Sequence, residues 1–586
     1  MVSGSVGTLK AVTLNRIGLK YAAGRRGSAR ESSMTRRFLL VASAGLMSIA
    51  FLAGGGPAPA AAQPSTALTG RVSSAEEGAM EGVVVGARKT GSTVTISVVS
   101  DGQGRFSFPS SKLGSGSYSL KVRATGYELD GPGSVEITLA LPVAVDLKLR
   151  KVRDITPQMT NAEWIESFPG TPDQKKFLYG CVGCHTLERV AKSKHDAGGF
   201  MQVMKRMATY ANNSHIERPQ VRLVARDPMR DFGPDSDKQA AYLATLNQSS
   251  GAWSFALKTL PRVKGKGARV VITEYDLPRR PLMPHDVIVD REGIVWLSQF
   301  DEQFLGRFDP RTLNYTEFAI PVQRPEYPKG TLDLEVDPEG NLWLSHMFQS
   351  GIVKFDKKTE KFQAFPLPPG VVNEHSQQSM VGPQRWTVDR KVWLNDAGIP
   401  GLHRLDMATG RFETWKPYQN MKGPHSVYGI YADSKNNIFF MDFGGENVGK
   451  IEAATGKLTL FPTPTPRSRP RRGRMDDQDR VWFAEWRAEK IGMFDTRTEK
   501  FREWNVPTPY TAPYDVVLDK TGKVWTAGMN TDRVLRMDLE TGEFTEYPLP
   551  SQTNIRRVFV DNSTTPPTFW AGNNHHAAIV KVEPLE

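Results

Sequence analysis

Hydrophobic and polar positions repeat along the C-terminal half of the chain with a spacing of 43 to 50 residues. In each repeat an aliphatic or aromatic residue stands directly before an aromatic one, as in Val295-Trp296, and an Asp turn lies just upstream. Downstream segments such as Ile491–Asp495 and Phe544–Pro548 predict further strands. Four strands per repeat and seven repeats predict a seven-bladed β-propeller over residues 265–586. The seventh repeat lacks its outer strand, which we expect Val271–Pro278 to supply.

A different alternation precedes the repeats. Residues 66–150 contain short segments with alternating apolar and polar positions, such as Thr93–Val99 and Tyr118–Val122, and Asp101-Gly102 marks a turn between two of them. Segments of this length and spacing predict a small β-sandwich. No set of catalytic residues stands out in this part of the sequence.

Residues 155–250 instead carry apolar side chains at helical spacing. Thr171 is suited to cap a helix that begins at Pro172, because Thr and Pro are favoured at these two positions. We therefore expect a small all-α domain here. The predicted fold class is a multidomain, mainly β protein with a small β-sandwich, a small all-α domain and a seven-bladed propeller.

The first 62 residues have the pattern of an export signal. Arg36-Arg37 precedes an apolar run that reaches about Gly54, and the small residues Ala58–Ala62 follow. This order predicts a cleaved signal peptide and a periplasmic or secreted protein with no membrane span after cleavage, and a retained membrane anchor is the alternative. Met34 is a second candidate for the start of translation.

Composition narrows the classes of partner. The net charge of +12 would suit a protein that binds nucleic acid or an anionic membrane. Residues 1–65 carry +7 of this charge, so the rest of the chain carries only +5 and we expect no nucleic-acid partner. The chain has two Cys residues, which excludes a disulfide framework.

Both cysteines belong to the C-x-x-C-H motif Cys181–His185. In an exported protein this motif predicts one covalent haem c, with Cys181 and Cys184 attached to its vinyl groups and His185 as an axial ligand of the iron. A redox dithiol and half of a zinc site are the alternatives, but the first needs a βαβ context and the second needs further ligands nearby. Met207, shortly before a loop rich in Asn, is the candidate sixth ligand of the iron.

Aligned repeats place polar residues at one mouth of the predicted channel, because the start of the inner strand and the end of the second strand lie at the same face. The candidate catalytic residues at this face are His285, Arg471, Glu485 and Tyr514. The candidate ligands of a divalent cation are His346, Asp396, Asp442 and Glu485. The candidate anion-binding arc consists of Arg471, Arg472, Arg474, Arg556 and Arg557. Polar residues that cap strand ends and face water are the alternative.

Three segments resemble known families. The repeat form at Pro513–Trp525, P-x-D-V-x-x-D-x-x-G-x-V-W, resembles the streptogramin (virginiamycin B) lyase-like propellers. Asp101–Phe106 and Gly116–Tyr127 resemble the signature of carboxypeptidase regulatory-like sandwiches, which implies an accessory or adhesion module. Residues 155–250 resemble a class I-like cytochrome c, with Ala240–Asn247 as its closing helix.

The lyase resemblance implies a Mg²⁺-assisted cluster of His and Glu that opens a cyclic depsipeptide. This sequence departs from that pattern, because His285 is the single His of the inner-strand ring and Arg471 and Tyr514 stand at equivalent places. We therefore do not expect, in the first place, that this protein has the lyase activity of the family that it resembles.

These features predict a periplasmic c-type haem electron-transfer protein or oxidoreductase component. The propeller would bind a small molecule or peptide at its mouth, and the haem would exchange electrons with a periplasmic donor or acceptor. Two alternatives remain open: a virginiamycin B lyase-like C–O lyase, or a non-catalytic binding scaffold.

Overall fold

Ten short strands form the N-terminal part of the computed structural model, which describes residues 66–138, 141–215, 217, 221–223, 235–249, 251–280 and 282–585. The predicted signal peptide at residues 1–62 lies outside the described residues. The ten strands are β1 (Thr66–Ser74), β2 (Gly78–Ala79), β3 (Val84–Lys89), β4 (Val94–Val99), β5 (Arg105–Pro109), β6 (Gly116–Arg123), β7 (Tyr127–Leu129), β8 (Ser134–Ile137), β9 (Val143–Ala144) and β10 (Leu147–Lys151).

These strands form the predicted β-sandwich. One sheet has the order β2-β1-β10-β7, with β5 and β9 also paired to β1, and the other contains β3, β4, β6 and β8. Side chains alternate between core and solvent along β5 and β6, so that Phe106, Phe108, Tyr118 and Leu120 are buried between the sheets.

Five helices follow the sandwich. They are α1 (Asn161–Ser167), α2 (Pro172–Phe177), α3 (Glu188–Ala191), α4 (Ala197–Met207) and α5 (Ser236–Leu246). Thr171 caps α2 as predicted: its side chain accepts a hydrogen bond from the Gln174 backbone N–H, and the Gln174 side-chain oxygen accepts one from the Thr171 backbone N–H. Thr160 and Glu163 make the same reciprocal pair at α1. We call α1 to α5 and the described turns between them the helical layer.

The prediction of a separate all-α, cytochrome c-like domain is wrong. The apolar side chains of the helical layer, such as Trp164 and Leu178, share one hydrophobic cluster with Tyr428, Trp486 and Tyr514 from the propeller. The described residues beyond position 63 accordingly form one compact unit. Helices of 4 to 11 residues bury too little surface against one another, so they pack on the propeller instead.

The C-terminal part is a ring of four-stranded sheets, as the repeats predict. Its strands are β11 (Val270–Asp276); β12 (Pro284–Val289), β13 (Val295–Gln299), β14 (Phe304–Asp309) and β15 (Asn314–Ala319) of blade one; β16 (Leu334–Val336), β17 (Leu342–Ser345), β18 (Gly351–Asp356) and β19 (Lys361–Pro366) of blade two; β20 (Val381–Gly382), β21 (Lys391–Asp396), β22 (Gly401–Asp406) and β23 (Phe412–Trp415) of blade three; β24 (Val427–Ala432), β25 (Ile438–Asp442), β26 (Asn447–Ile451) and β27 (Leu458–Pro462) of blade four; β28 (Pro470–Met475), β29 (Arg480–Glu485), β30 (Lys490–Asp495) and β31 (Lys500–Asn505) of blade five; β32 (Pro513–Leu518), β33 (Lys523–Gly528), β34 (Arg533–Asp538) and β35 (Phe544–Pro548) of blade six; and β36 (Phe559–Asp561), β37 (Thr568–Asn573) and β38 (Ala578–Pro584) of blade seven. A short helix, α6 (Trp386–Asp389), lies inside blade three.

In blades one, two, five and six the Asp turn and the Trp recur because they bond to each other. The Trp296 indole N–H donates to Asp290 Oδ2 at 2.7 Å, while Asp290 Oδ1 accepts the backbone N–H of Ile294 at 3.0 Å. The same indole bond joins Trp525 to Asp519 at 2.7 Å. One carboxylate therefore closes the turn between the inner two strands and fixes the buried Trp beside it.

Blade seven is completed by the first strand of the propeller segment. β11 pairs with β38 over its whole length, from Val270 opposite Pro584 to Asp276 opposite Ala578. Its other edge pairs with β4 of the sandwich, so blade seven and one sandwich sheet form a continuous eight-stranded sheet. The strand that closes the ring thus also attaches the sandwich. Within the described part of the chain, no helix is long and apolar enough to cross a membrane.

Candidate functional site

The inner strands of four blades begin with a β-bulge at the face covered by the helical layer, which we call the mouth. The register shifts directly after Pro284, Val427, Pro470 and Pro513. A bulge turns the next side chain away from the regular pleat. The residues in this position are His285, Tyr428, Arg471 and Tyr514. Three of the four predicted catalytic residues are thus brought to the mouth.

A chain of hydrogen bonds joins three of these side chains. Tyr428 and Tyr514 share a hydrogen bond of 2.5 Å between their hydroxyl groups, and the Tyr514 hydroxyl lies 3.4 Å from His285 Nε2. His285 Nδ1 lies 2.6 Å from Asp286 Oδ1. Burial lowers the pKa of His285 to about 3 although Asp286 opposes the shift, so the imidazole is neutral, with Nδ1–H donating to the carboxylate.

Arg471 lies in a cage of aromatic rings. Its guanidinium carbon is 3.7 Å from the ring centroid of Tyr514, 4.4 Å from that of Phe443 and 5.2 Å from that of Trp486. Its Nε is buried without a hydrogen-bond partner, and Nη1 donates to Met529 Sδ at 3.6 Å. Within the described part of the chain, Arg471 pairs with no carboxylate. The mouth therefore holds a positive charge that is stabilised mainly by aromatic faces.

The propeller holds the cysteine turn of the helical layer directly over the mouth. Arg556 donates from Nη2 to the carbonyl of Gly183 at 2.8 Å, and Asn554 donates to the carbonyl of Val182 at 3.3 Å. The Arg556 guanidinium also lies 4.4 Å from the ring centroid of Phe300. These bonds hold the backbone between the two cysteines against the propeller.

Cys181 and Cys184 are both free thiols and partly buried. Burial raises the pKa of Cys181 to about 12, so this thiol stays protonated and lacks the thiolate character of a reactive dithiol. Among the described residues, no three His, Cys, Asp or Glu side chains are placed to hold a metal ion. The further ligands that a zinc site at the two cysteines would need are therefore not found among these residues.

A cavity of about 630 Å³ lies beside the cysteine turn. Its lining includes Cys184, His185, His215, His575 and His576. The His185 Nδ1–H donates to the carbonyl of Thr186 at 2.9 Å, and burial lowers the pKa of His185. Cavity walls thus come from both the helical layer and blade seven.

Met207, the predicted sixth ligand, is half-buried at the end of α4 and does not line this cavity.

The four predicted ligands of a divalent cation are not brought together. Asp396 accepts backbone N–H groups of Gln377 and Ile399, both at 2.9 Å, and closes a turn of its own blade. Asp442 is held by His425 at 2.8 Å, and His346 contacts Gln303 at 2.5 Å. Burial raises the pKa of Glu485 to about 9, which keeps it neutral. His346, Asp396 and Asp442 are thus engaged by groups of the fold, which agrees with strand-end capping, whereas both carboxyl oxygens of Glu485 are buried without a hydrogen-bond partner.

Three arginines of the predicted anion-binding arc are committed to a buried ion network inside the channel. Arg472 bonds both oxygens of Asp286 at 2.9 Å and Asp333 at 2.7 Å. Arg557 pairs with the same two aspartates and with Glu335 at 2.8 Å. Arg474 lies 3.4 Å from Asp515. Only Arg471 and Arg556 remain at the mouth.

Sequence reasoning missed this network, although a signal was present. The residue after each mouth position is charged in five of the seven blades. These residues are Asp286, Asp333, Arg472, Asp515 and Arg557. Opposite charges at one repeat position converge on the channel axis, because equivalent positions of all blades face that axis.

A buried carboxyl group lies where the helical layer meets blade five. The Tyr179 hydroxyl and the Ala512 backbone N–H both donate to Glu489 Oε1, whereas Oε2 has no partner and can carry a proton. Burial raises the pKa of Glu489 to about 7. Near neutral pH the carboxyl group of Glu489 is therefore close to half protonated.

We expect the free energy of unfolding to fall as the pH rises from about 5 to about 8. Folded Glu489 keeps its proton up to about pH 7, whereas the unfolded chain loses it near 4.5, so stability is lost through this interval. Glu489→Gln keeps the acceptor and cannot ionise, so its denaturation curves should show a smaller fall. Other buried carboxyl groups titrate in both proteins, and equal slopes would contradict the assignment.

The comparisons with known proteins identify the propeller. The model of the virginiamycin B lyase family matches residues 236–528, which is half of the chain. The chain belongs to this family. The carboxypeptidase regulatory-like domain matches residues 67–150 and confirms the sandwich. Neither family model covers the C-x-x-C-H motif, so the comparisons give no support to a cytochrome c domain or to haem electron transfer.

Solved structures of the lyase family resemble this chain in part. A streptogramin B lyase structure is 21% identical, covers 55% of this chain and 99% of its own, and has a TM-score of 0.47. The virginiamycin B lyase of Staphylococcus aureus is 21% identical over 54% of this chain and 99% of its own, with a TM-score of 0.46. The extracellular domain of a hybrid two-component system from B. thetaiotaomicron is 16% identical over 52% of this chain and 40% of its own, with a TM-score of 0.40. None of the curated proteins matches the sequence.

Proposed function

We propose that the protein is a ligand-binding propeller of the virginiamycin B lyase family that carries one covalent haem c at its covered mouth. The observation that carries this proposal is the placement of the cysteine turn: Asn554 and Arg556 bond the carbonyls between Cys181 and Cys184, next to a cavity of about 630 Å³. We further propose that the protein acts outside the cytoplasm, because residues 1–62 have the pattern of an export signal.

The residues of the turn fit haem c. Cys181 and Cys184 are free and would each add Sγ–H across a vinyl group, forming a carbon–sulfur bond and passing the thiol hydrogen to the other vinyl carbon. His185 would bind the iron through Nε2, because its Nδ1–H already donates to the Thr186 carbonyl. Bound haem c would supply one-electron transfer.

The mouth also suits an anionic ligand. Arg471 and Arg556 are its two cations, and the described contacts of both are with aromatic rings, neutral polar groups and Met529. Buried guanidinium groups bind carboxylates strongly, since water does not compete for the bond. We propose a small molecule or peptide with a carboxylate as the ligand, and an exported electron donor or acceptor as the redox partner.

Family membership favours ring opening as a second candidate, and the geometry opposes it. His285 would be the base, but it has no exposed surface and is neutral between Asp286 and Tyr514. Among the described residues, the helical layer packs on the mouth through an apolar cluster that includes Tyr514, the neighbour of His285, and this packing works against access of a large cyclic depsipeptide to the imidazole. Ligand binding at the mouth is therefore the function that the site supports best, and we propose electron relay by the haem in addition to it.

Covalent haem is the outcome that tests the proposal. The full chain, produced with the cytochrome c maturation machinery, is expected to give the alkaline pyridine spectrum of haem c at one haem per chain. The double variant Cys181→Ala, Cys184→Ala should retain no haem after denaturation and extraction, because both attachment points are gone. Thr186→Ala is the matched control and should retain haem, since His185 bonds the Thr186 backbone and not its side chain.

A wild-type protein without a haem spectrum would contradict the proposal. So would a double variant that keeps its haem through extraction.

A further inference from the structure

His575 belongs to the turn between β37 and β38 of blade seven, 390 residues after His185 along the chain. The turn is anchored at the mouth: the backbone N–H of His575 donates to Asn573 Oδ1 at 3.1 Å, and the Asn573 amide donates to the Gln552 carbonyl at 3.0 Å. His575 and His185 line the same cavity. A propeller residue is therefore presented to the cysteine turn.

The two nitrogens of His575 have different surroundings. Nε2 is buried and has no hydrogen-bond partner. The Gly183 carbonyl, between the two cysteines, lies beside the imidazole as a backbone acceptor, and because Nε2 makes no bond, Nδ1 is the nitrogen that faces this carbonyl. Nε2 is therefore the nitrogen whose lone pair can bind a metal.

This arrangement is typical of a metal-binding histidine. Such a residue donates its Nδ1–H to a carbonyl, which fixes the tautomer and leaves Nε2 for the metal. His185 shows the same arrangement with the Thr186 carbonyl.

The other side chains near the cavity fit the role less well. His215 Nδ1 accepts the backbone N–H of Glu217 at 3.1 Å, so its proton resides on Nε2 in the neutral ring. Met207 does not line the cavity. The charged neighbours of His576 are Arg280, Asp276, Lys121 and Arg88, which lie toward the sandwich and β11.

We propose that His575 Nε2 is the second axial ligand of the haem iron, together with His185. This inference rests on the proposed haem function. It makes the propeller a partner in coordination, so the iron would join blade seven to the helical layer. A second imidazole in place of a thioether also predicts a lower reduction potential than Met ligation gives.

The test uses the haem-loaded full chain and three single variants. Wild-type ferric protein is expected to show the absorption and electron paramagnetic resonance spectra of low-spin haem with two histidine ligands. His575→Ala should convert it to high-spin haem at unchanged haem content, and added imidazole should restore the low-spin spectrum. His576→Ala, the neighbouring control, and Met207→Leu should both remain low-spin.

Several results would overturn the proposal. One is a His575→Ala protein that stays low-spin without imidazole, and another is conversion to high spin in Met207→Leu instead. His575→Met provides a second reading if the alanine variant folds poorly, because it should remain low-spin and raise the reduction potential. Absence of covalent haem from the wild type is a separate outcome, which contradicts the proposed function itself.

Discussion

Arg472→Leu is expected to lower the free energy of unfolding by about 3–5 kcal/mol. Arg472 is fully buried in the channel and neutralises Asp286 with two bonds of 2.9 Å and Asp333 with one of 2.7 Å. The two carboxylates, from blades one and two, would keep only Arg557 as a common partner. Breaking a buried ion pair leaves an uncompensated charge in a medium of low polarity, which is the reason for the large loss.

Chemical denaturation followed by far-ultraviolet circular dichroism measures this loss. Arg311→Leu is the matched control, since Arg311 pairs with Asp309 at the surface with 65% of its side chain exposed and its replacement should leave the transition unchanged. Arg472→Lys should be intermediate, because an ammonium group keeps the charge but loses the two parallel bonds to Asp286. A leucine variant as stable as the wild type would show that the network contributes nothing to stability.

Trp486→Ala is expected to cost about 3–5 kcal/mol and to loosen the helical layer from the mouth. Trp486 is 5% exposed, with ring centroids 5.3 Å from Tyr179 of the helical layer and 5.4 Å from Phe443 of blade four. Its removal would leave a cavity in an apolar cluster that the helical layer and the propeller share. The same change would strip one face from the cage around Arg471.

Hydrogen–deuterium exchange of the folded protein separates these effects. Trp486→Ala should raise exchange in α1 and α2 of the helical layer. Trp504→Ala is the control, because Trp504 stacks on Trp482 in blade five, outside the shared cluster, and should leave exchange in those helices unchanged. Equal exchange in both variants would contradict the view that the helical layer depends on the propeller for its core.

Both predictions concern how the mouth is closed, from inside the channel and from outside it. The ion network blocks the channel from within, and the helical layer covers it from outside. Arg471 and Arg556 lie at this covered mouth, and Arg556 bonds the cysteine turn.

Local chemistry made much of the fold predictable. The Asp–Trp bond of four blades spans six residues, and the caps at Thr160 and Thr171 span three, so the signals lie within a few positions of each other. The closure of blade seven by β11 was also predictable, since one repeat lacked a strand and one strand preceded the repeats. The cysteine spacing likewise indicates its chemistry without any structure.

The cytochrome c-like domain was predicted wrongly because helical periodicity shows that a face is apolar but not what covers it. In residues 155–250 the cover is the propeller, with Trp486 and Tyr514 in the shared cluster. The prediction that four side chains from different blades would together bind a divalent cation was not met for a related reason. Their common position in the repeats was visible, but the hydrogen bonds that occupy each carboxyl group, such as that of Asp442 with His425, come from loops of each blade.

The sequence alone determined the propeller, the sandwich, the turn chemistry of each blade and the two thiols beside a histidine. All of these depend on contacts between residues near one another in the chain or on a repeated spacing. The tertiary structure decided the ion network around Arg472 and the covered mouth. It also decided the meeting of His575 with Gly183, because each of these joins residues separated by more than a hundred positions, and only closure of the ring brings them within bonding distance.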